Sequence, residues 1–256
     1  MKIIEQYLTN NQCFINGTRL NIKGLMLHSV GVPQPSAAVF IRNWNNPDVR
    51  VCVHGFIQAD GNVYQTLPWN YVGWHGGGSS NNTHIGVEMT EPLTIKYTGG
   101  ASFVDYDPEA TKAHVKATYD TAVELFAHLC RKFDLNPATD IISHAEGHKL
   151  GIASNHADPT HLWIRYPELG LSMDGFRRVV KKEIEKEKNE TVPVRIDEPS
   201  EWAKEATAWA KQKGIFVGDG NGRFRWRDSI TREEVAQTLY NLYTKGKNDD
   251  NNINIP

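Results

Sequence analysis

The run Gly24-Leu25-Met26-Leu27-His28 is short and apolar, and it ends in a histidine. Short apolar runs that are bounded by glycine, asparagine, aspartate or proline are typical of buried β-strands. The segments 49–58 and 84–90 carry the same signals. The turn Ala59-Asp60-Gly61-Asn62, which separates two apolar pairs, predicts a hairpin after the first of these segments. His28 is therefore expected where one strand of a sheet runs into a loop.

A second pattern, with apolar residues every three or four positions, extends from Pro108 to about residue 136. It predicts one long amphipathic helix, because this spacing places the apolar side chains on one face and proline suits the first helical position. The residues of that face are Val115, Tyr119, Ala122, Val123, Phe126, Leu129, Cys130 and Phe133. Short strands beside a long helix favour an α/β fold with a mixed central β-sheet flanked by helices.

The composition excludes several classes of protein. With 28 Lys and Arg against 30 Asp and Glu, the formal net charge is −2, which argues against the basic surface of a nucleic-acid-binding protein. The three cysteines, Cys13, Cys52 and Cys130, are too widely spaced for a disulfide framework. No stretch approaches the roughly 20 apolar residues of a membrane span, and the N-terminus lacks a basic leader followed by an apolar run. We therefore expect a chain made in the cytosol that binds no nucleic acid and enters no membrane.

A change in composition after residue 180 predicts a second domain. Residues 181–190 are mostly charged and are expected to complete a helix that begins near Asp174, and the segment after them contains two prolines. The predicted divisions are a first domain at 1–180, a linker at 181–199, a small, mainly helical C-terminal domain at 200–245 and a disordered polar tail at 246–256.

His28 is a candidate ligand of a metal ion. A neutral imidazole at the end of a rigid strand, joined by a distant histidine and an aspartate, gives three protein ligands and leaves the fourth tetrahedral position to water. That arrangement is the pattern of catalytic zinc and indicates a hydrolase. The candidates for the distant ligands lie in the segment 141–159 and are His144, His148, His156 and Asp158.

The spacing of these histidines does not choose among them. His144 and His148 are four residues apart, which on a helix would place both imidazoles on one face. However, Ile141-Ile142 has the character of a strand, and Gly147 and Gly151 disfavour a helix. The four-residue spacing therefore loses its geometric meaning, and the choice stays open.

Five segments, in order along the chain, carry a more specific pattern. They are GLMLHS at 24–29, VHGFIQADGNVYQ at 53–65, GWHGG at 73–77, HIGVEM at 84–89, and SHAE followed by NHADP within 143–159. Together they resemble the zinc N-acetylmuramoyl-L-alanine amidases, a family that shares its fold with peptidoglycan recognition proteins and includes many phage endolysins. The resemblance extends over residues 20–170 and implies the amidase fold for the first domain.

The resemblance implies a role for each of five residues. His28, His144 and Asp158 match the positions of the family's zinc ligands. Glu88 matches its catalytic acidic residue. His156, two residues before the last ligand, matches a position where many relatives have lysine, and its imidazolium would stabilise an oxyanion. Some relatives have cysteine as the last ligand, and the Asp158 carboxylate can replace it.

Two further residues match recurrent family positions beside the cleft. His54 and His75 are expected to support the site through packing or a hydrogen bond, and together with Trp74 they are candidates for the substrate groove. His148 is the alternative metal ligand, although a role in shaping its loop is preferred.

The implied activity is hydrolysis of the amide bond between N-acetylmuramic acid and the L-alanine of the stem peptide, with Zn²⁺ as cofactor and bacterial peptidoglycan as substrate. A phage endolysin, which lyses the host cell after release to the wall, fits a chain made in the cytosol. A bacterial autolysin is the alternative. Two rival functions are a peptidoglycan-binding receptor without catalysis and a metallopeptidase that cuts within the stem peptide.

The segment 202–234 resembles an S-layer homology motif. Such modules consist mainly of two helices joined by a glycine-rich loop, and they typically occur as three copies that bind cell-wall polymers. Here a helix with Trp202 and Trp209 on one face is expected to end at Gly214. The sequence Thr231-Arg232-Glu233-Glu234 predicts a capping box at the start of the next helix.

One copy of this motif is visible, and Trp226 stands where the family often has proline. The resemblance implies that residues 200–245 bind a secondary cell-wall polymer if chains associate into an oligomer. The alternative is a small packing appendage without affinity for the wall.

Overall fold

The computed structural model describes residues 1–190, 198–218 and 223–249, in which six short strands form one mixed sheet. Their order across the sheet is β1 (Lys2–Glu5), β4 (Asn62–Gln65), β3 (Gly55–Ile57), β5 (His84–Met89), β2 (Gly24–Ser29) and β8 (Ile141–Ser143). Strands β3, β5, β2 and β8 are parallel, and β4 and β1 run in the opposite direction. The carboxyl ends of four neighbouring strands therefore meet at one edge of the sheet.

Two separate apolar clusters cover the two faces of the sheet. One cluster joins the strands to the long helix α3 (Pro108–Phe133) and to α6 (Met173–Glu190), with Phe126 and Phe176 in ring contact at 5.2 Å. The other cluster joins them to α1 (Gln12–Asn16) and α2 (Ala37–Trp44) through Phe56. Phe56 and its neighbour Ile57 belong to different clusters, because successive side chains of a strand point to opposite faces. The predicted α/β fold with a mixed, helix-flanked sheet is confirmed.

The predicted long helix is confirmed. The side chain of Asp107 caps its first turn by accepting a hydrogen bond from the N–H of Ala110, and Pro108 occupies the first helical position. The helix ends at Asp134, which takes the left-handed conformation with φ 53°. A two-stranded ribbon, β6 (Ile95–Gly99) paired with β7 (Ser102–Asp105), precedes this helix outside the main sheet.

The predicted strand at 49–58 is shorter than expected, because only Gly55–Ile57 enters the sheet. The side-chain amide of Asn11 donates hydrogen bonds to the carbonyls of Trp44, Val49 and Val51. These carbonyls therefore bond to a side chain instead of a neighbouring strand. The strands predicted around His28 and Glu88 and the hairpin at Gly61 are confirmed.

The chain divides into two units, Met1–Lys188 and Asn189–Pro256. Helix α6 reaches Glu190, so the first ten residues of the predicted linker are helical. The first unit also contains two short helices, α4 (His144–Lys149) and α5 (Thr160–Trp163). Among the described residues, no helix has both the length and the hydrophobicity that a membrane span requires.

The second unit contains α7 (Lys204–Gln212) and α8 (Arg232–Asp249). The predicted capping box is confirmed, since the N–H of Thr231 donates to Glu234 Oε2 and the N–H of Glu234 donates to Thr231 Oγ1. The predicted tail begins inside α8, and residues 250–256, like the glycine-rich loop at 219–222, lie outside the described residues. An open cavity of this unit is lined by Trp202, Phe224 and Trp226, among others.

Candidate metal centre

Strand register brings distant residues together at the carboxyl edge of the sheet. His28 of β2 lies directly opposite Glu88 of β5, and Leu27 lies opposite Ser143, the last residue of β8. His144 follows Ser143 and begins α4, so it stands beside His28. Asp158 reaches the same place from the loop that precedes α5.

Three predicted ligand residues lie within contact distance of one another and are buried. The distances are 3.0 Å from His28 Nδ1 to His144 Nδ1, 3.2 Å from His28 Nδ1 to Asp158 Oδ2, and 3.6 Å from His144 Nδ1 to Asp158 Oδ1. A tetrahedral zinc ion with bonds of about 2.0–2.1 Å separates its ligand atoms by about 3.3 Å. The spacing and the chemistry of these donors therefore fit zinc.

A chain of hydrogen bonds fixes the orientation of His28. The carbonyl of His84 can only accept, so His75 Nε2, at 3.0 Å, donates to it. His75 is neutral, because burial holds its pKa well below the usual range, and its Nδ1 must then accept from His28 Nε2 at 3.0 Å. This leaves the Nδ1 atom of His28 to face the centre of the site.

A similar chain fixes the orientation of His144. Ser154 Oγ donates to the carbonyl of Gly76 and so accepts from His144 Nε2, which lies 3.1 Å away. Burial lowers the pKa of His144 to about 4, so the ring is neutral and its Nδ1 carries a lone pair. That lone pair points at Nδ1 of His28 from 3.0 Å, an arrangement that a cation between the two nitrogens would stabilise.

A proton and a cation compete for this position. Burial lowers the pKa of His28, but the hydrogen bond from its ring to Asp158 and the charge of Glu88 outweigh burial and raise it above the ordinary value. A proton on Nδ1 would occupy the place of the cation. Binding of a metal ion at this site would therefore release a proton and would weaken as the pH falls.

Glu88 presents a carboxyl group with an unused oxygen. Its Oε2 atom is buried and has no hydrogen-bond partner among the described residues. Burial raises the pKa of Glu88 to about 8. The charge of His28 lowers this pKa, and the negative charges of Asp158 and Glu91 raise it further. A carboxyl group with such a pKa can both accept and release a proton near neutral pH.

His156 lies on the open side of the site. Its ring stacks on that of His144 with 4.5 Å between the centroids, and its Nδ1 lies 3.7 Å from Asp158 Oδ1. The side chain is 61% exposed. It is therefore accessible to a molecule that approaches the site from solvent.

The prediction that His54 and His75 line a substrate groove is wrong, because both are buried. His54 Nε2 donates to the carbonyl of Tyr71 and its Nδ1 accepts from the N–H of Gly86, so neither nitrogen is left for a ligand. His75 supports His28 from behind, as described above. Trp74 is half-buried beneath the guanidinium of Arg50, and its place in a groove stays a prediction.

The expectation that residues 144–149 avoid a helix is also wrong. Ser143 and Glu146 form a capping box that stabilises α4 despite its glycine. Gly147 packs closely there, since a Cβ atom would lie 2.8 Å from Cε of Met26 and 3.1 Å from Cβ of Ala153. His148 is exposed, and its Nδ1 lies 3.4 Å from the carbonyl of Ala153. Among the described residues, the group that could hold a metal ion consists of His28, His144 and Asp158 without His148.

Two residues of the site escaped the sequence analysis. Ser154 lies between the two distant ligands in sequence, but serine in a loop gives no signal of a contact with His144. Glu91 is buried just beyond β5, three residues after Glu88. An acidic residue shortly after an apolar strand is a local signal that its side chain lies at the end of the sheet.

Comparisons with known proteins give one family for each unit. The family model described as N-acetylmuramoyl-L-alanine amidase matches residues 18–161, more than half of the chain. The model of the S-layer homology domain matches residues 197–236.

Two known proteins are similar to parts of this chain. The chain is 43% identical over 58 residues to the N-acetylmuramoyl-L-alanine amidase XlyA of Bacillus subtilis, a match that covers 22% of this chain and 19% of that protein. The chain thus spans about a fifth of the length of this curated relative. The crystal structure of the Staphylococcus aureus hydrolase AmiA in complex with its ligand aligns with a TM-score of 0.55 and 21% identity, over 75% of this chain and 88% of that one. This second likeness supports the fold.

Gly86→Ala tests the hydrogen-bond chain behind His28. A Cβ atom at Gly86 would lie 2.3 Å from the ring of His75, so the ring must move away from His28. We expect the variant to lose about 1–3 kcal/mol of stability and to bind zinc roughly 10- to 100-fold more weakly. Thermal unfolding and zinc titration measure the two effects.

Gly175→Ala in helix α6 is the matched control, because the atom nearest to its new Cβ is Ser172 Oγ at 3.1 Å. It should leave zinc affinity unchanged. Zinc affinity of Gly86→Ala equal to that of the wild type would refute the role of His75.

Glu88→Gln tests the burial of the carboxyl group in protein freed of metal. The folded state binds the Glu88 proton more tightly than the unfolded state, because its pKa is raised from 4.5 to about 8. Wild-type stability is therefore lost as the pH rises through this range, and the variant avoids that loss.

We compare the free energy of unfolding of the variant with that of the wild type at pH 5 and at pH 8.5. From the lower to the higher pH, we expect this difference to move in favour of the variant by at least about 1 kcal/mol. Urea unfolding at both pH values measures it. Glu185→Gln, at an exposed position of α6, is the control, and its free energy of unfolding should differ from that of the wild type by the same amount at both pH values. A pH-independent effect of Glu88→Gln would mean that its carboxyl group is solvated.

Proposed function

The chain belongs to the N-acetylmuramoyl-L-alanine amidase family, and on that premise we propose that its first unit is a zinc-dependent hydrolase of bacterial peptidoglycan. The bond cleaved is the amide between N-acetylmuramic acid and the L-alanine of the stem peptide. The observation that carries this proposal is the pair of Nδ1 atoms that face each other at 3.0 Å beside the buried carboxylate of Asp158 and the unpartnered oxygen of Glu88.

His28, His144 and Asp158 would hold the zinc ion through two nitrogens and one carboxylate oxygen. When bound, zinc lowers the pKa of a water molecule toward about 7 and polarises a carbonyl group. The chains through His75 and Ser154 keep both imidazoles in the orientation that ligation needs. The protein thus supplies a prearranged set of donors.

Glu88 is the proton carrier of the reaction. Water attacks the carbonyl carbon of the lactyl group, and Glu88 takes one proton from it. Glu88 then gives this proton to the amide nitrogen as the carbon–nitrogen bond breaks, because an amine leaves readily only when protonated. The products are the free lactyl carboxylic acid and a peptide that begins with L-alanine.

His156 stabilises the charge that develops on the carbonyl oxygen. Its position on the open side of the site, above His144, lets its ring reach a bound substrate. A receptor without catalysis would need neither this exposed imidazole nor the costly buried carboxyl of Glu88. Both features favour the enzyme over the receptor.

The second unit is proposed to hold the enzyme on the cell wall. Its match to the S-layer homology domain and its cavity lined by Trp202, Phe224 and Trp226 support this function. Aromatic rings stack on sugars, so this cavity suits a carbohydrate polymer of the wall. The proposed site of action is therefore the bacterial wall, and the proposed result is lysis.

Digestion of purified cell wall tests which bond is cut. We expect the zinc-loaded protein to release peptides with a free amino group on L-alanine and to leave glycan strands without peptide. Mass spectrometry of the soluble fragments identifies both products. Fragments with L-alanine still on the sugar would assign a stem-peptide peptidase, and the absence of new amino groups would assign a receptor.

His144→Ala tests the metal ligands. The variant should lose stoichiometric zinc, and its activity should fall by more than the roughly 10- to 100-fold that loss of an outer partner causes. Zinc content by atomic absorption and release of amino groups measure this. His148→Ala, a change in the same helix at an exposed position, is the control and should keep both. Loss of zinc in the control alone would require a different ligand set.

A further inference from the structure

Glu91, Tyr97 and His161 form a buried hydrogen-bonded chain outside the proposed catalytic set. The hydroxyl of Tyr97 lies 2.8 Å from Glu91 Oε2 and 2.7 Å from His161 Nε2. Glu91 is fully buried and His161 is 8% exposed. We refer to these three residues as the Glu91 chain.

The Glu91 chain begins at the loop that follows His28. Glu91 Oε1 accepts a hydrogen bond from the N–H of Gly31 at 3.0 Å, and the N–H of Glu91 donates to the carbonyl of Gln34. Glu91 itself follows β5, the strand that carries Glu88. One residue thus ties the loop after β2 to the end of β5.

The Glu91 chain ends at the segment that carries Asp158 and His156. His161 belongs to α5, and its N–H donates to the carbonyl of Ala157 at 3.2 Å. Its side chain is held by Tyr97, whose ring also packs against Phe103 of the ribbon. Through these contacts the chain reaches the residues on both sides of Asp158.

The three candidate ligands come from separate segments, and Asp158 comes from a loop rather than from the sheet. His28 and His144 are placed by strand register, but register does not place Asp158. A metal site binds tightly only when its ligands are held near their final positions. Two long hydrogen bonds link Asp158 itself to the sheet edge, since the N–H of Ser29 donates to its Oδ2 at 3.4 Å and the N–H of Ala145 donates to its carbonyl at 3.3 Å. The Glu91 chain adds a connection for the segment around Asp158.

We propose that Glu91 is a positioning residue that, through Tyr97 and His161, holds Asp158 and His156 at the correct distance from His28. This inference rests on the proposed function for its kinetic readout, while its zinc readout does not depend on which bond is cut. Burial of the Glu91 carboxyl costs free energy, and its two hydrogen bonds offset part of that cost.

Tyr97→Phe tests the connection with the smallest change, because it removes only the hydroxyl group that Glu91 and His161 share. We expect zinc affinity to fall about 10- to 100-fold. The kcat for amide cleavage should fall with it, while KM changes less, because Tyr97 does not face the substrate. Zinc titration and kinetics on a soluble muropeptide measure these effects.

Tyr166→Phe is the matched control, since it also removes a buried hydroxyl group that donates to a carboxylate, Asp105 Oδ2. It should lower the unfolding temperature by a similar amount and leave zinc affinity and kcat within about twofold of the wild type. Equal effects of the two variants on zinc affinity would overturn the positioning role.

Two substitutions of Glu91 separate position from charge. Glu91→Gln keeps an oxygen for the N–H of Gly31, and its amide can donate to the Tyr97 oxygen while that hydroxyl donates to His161. It should retain most of the zinc affinity, whereas Glu91→Leu should lose it as Tyr97→Phe does. Loss with glutamine equal to that with leucine would assign Glu91 a charge-dependent role and refute the proposal.

The outcomes remain distinct if a variant or the proposed function fails. Should Glu91→Leu not fold, the comparison of Tyr97→Phe with Tyr166→Phe decides the question alone. Should the wild type cleave no amide bond, the proposed function is wrong, and the zinc affinities of the same variants still decide the role of Glu91.

Discussion

The arrangement of the site depends on the parallel register of β2 with β5 and β8. This register sets His28 opposite Glu88 and beside His144, so three side chains from residues far apart in sequence meet at one sheet edge. A shift of one residue in either pair would turn these side chains to the opposite face, where the apolar cluster with α3 and α6 lies. The large apolar contacts on that face, such as Phe126 with Phe176, therefore also stabilise the register that positions the site residues.

Register alone does not orient an imidazole. The rings of His28 and His144 are turned by hydrogen bonds that each end on a backbone carbonyl, through His75 to His84 and through Ser154 to Gly76. Carbonyl groups cannot donate, so the direction of every hydrogen bond along each chain is determined. The site thus has its donor atoms aimed inward before any ligand arrives, with Nδ1 of His28 and Nδ1 of His144 only 3.0 Å apart.

The strands around His28 and Glu88 could be predicted from the sequence because their apolar runs are local signals. Prediction from the sequence failed for residues 49–54, where the carbonyls of Val49 and Val51 bond to the side chain of Asn11, a contact that no local pattern encodes. The low helix propensity of glycine gave the wrong expectation for α4. The capping box of Ser143 and Glu146 stabilises this helix and is a local signal in the sequence. The contacts of His75 and Ser154 depend on tertiary structure alone, so neither their partners nor their hydrogen-bond directions could be foreseen.

Glu88 and Glu91 are two acidic residues that differ in their hydrogen-bond partners. Both are acidic residues near the end of β5, and burial raises the pKa of each, to about 8 for Glu88 and about 7 for Glu91. Glu91 bonds through both oxygens to fixed donors, the N–H of Gly31 and the hydroxyl of Tyr97. One oxygen of Glu88 has no partner among the described residues, and it lies beside the ligand His28 in the sheet. A buried carboxyl with all its partners in place resists movement, whereas one with an unused oxygen can bind and transfer a proton. The difference in their partners therefore supports the proposed positioning role of Glu91 and the proposed proton transfer by Glu88.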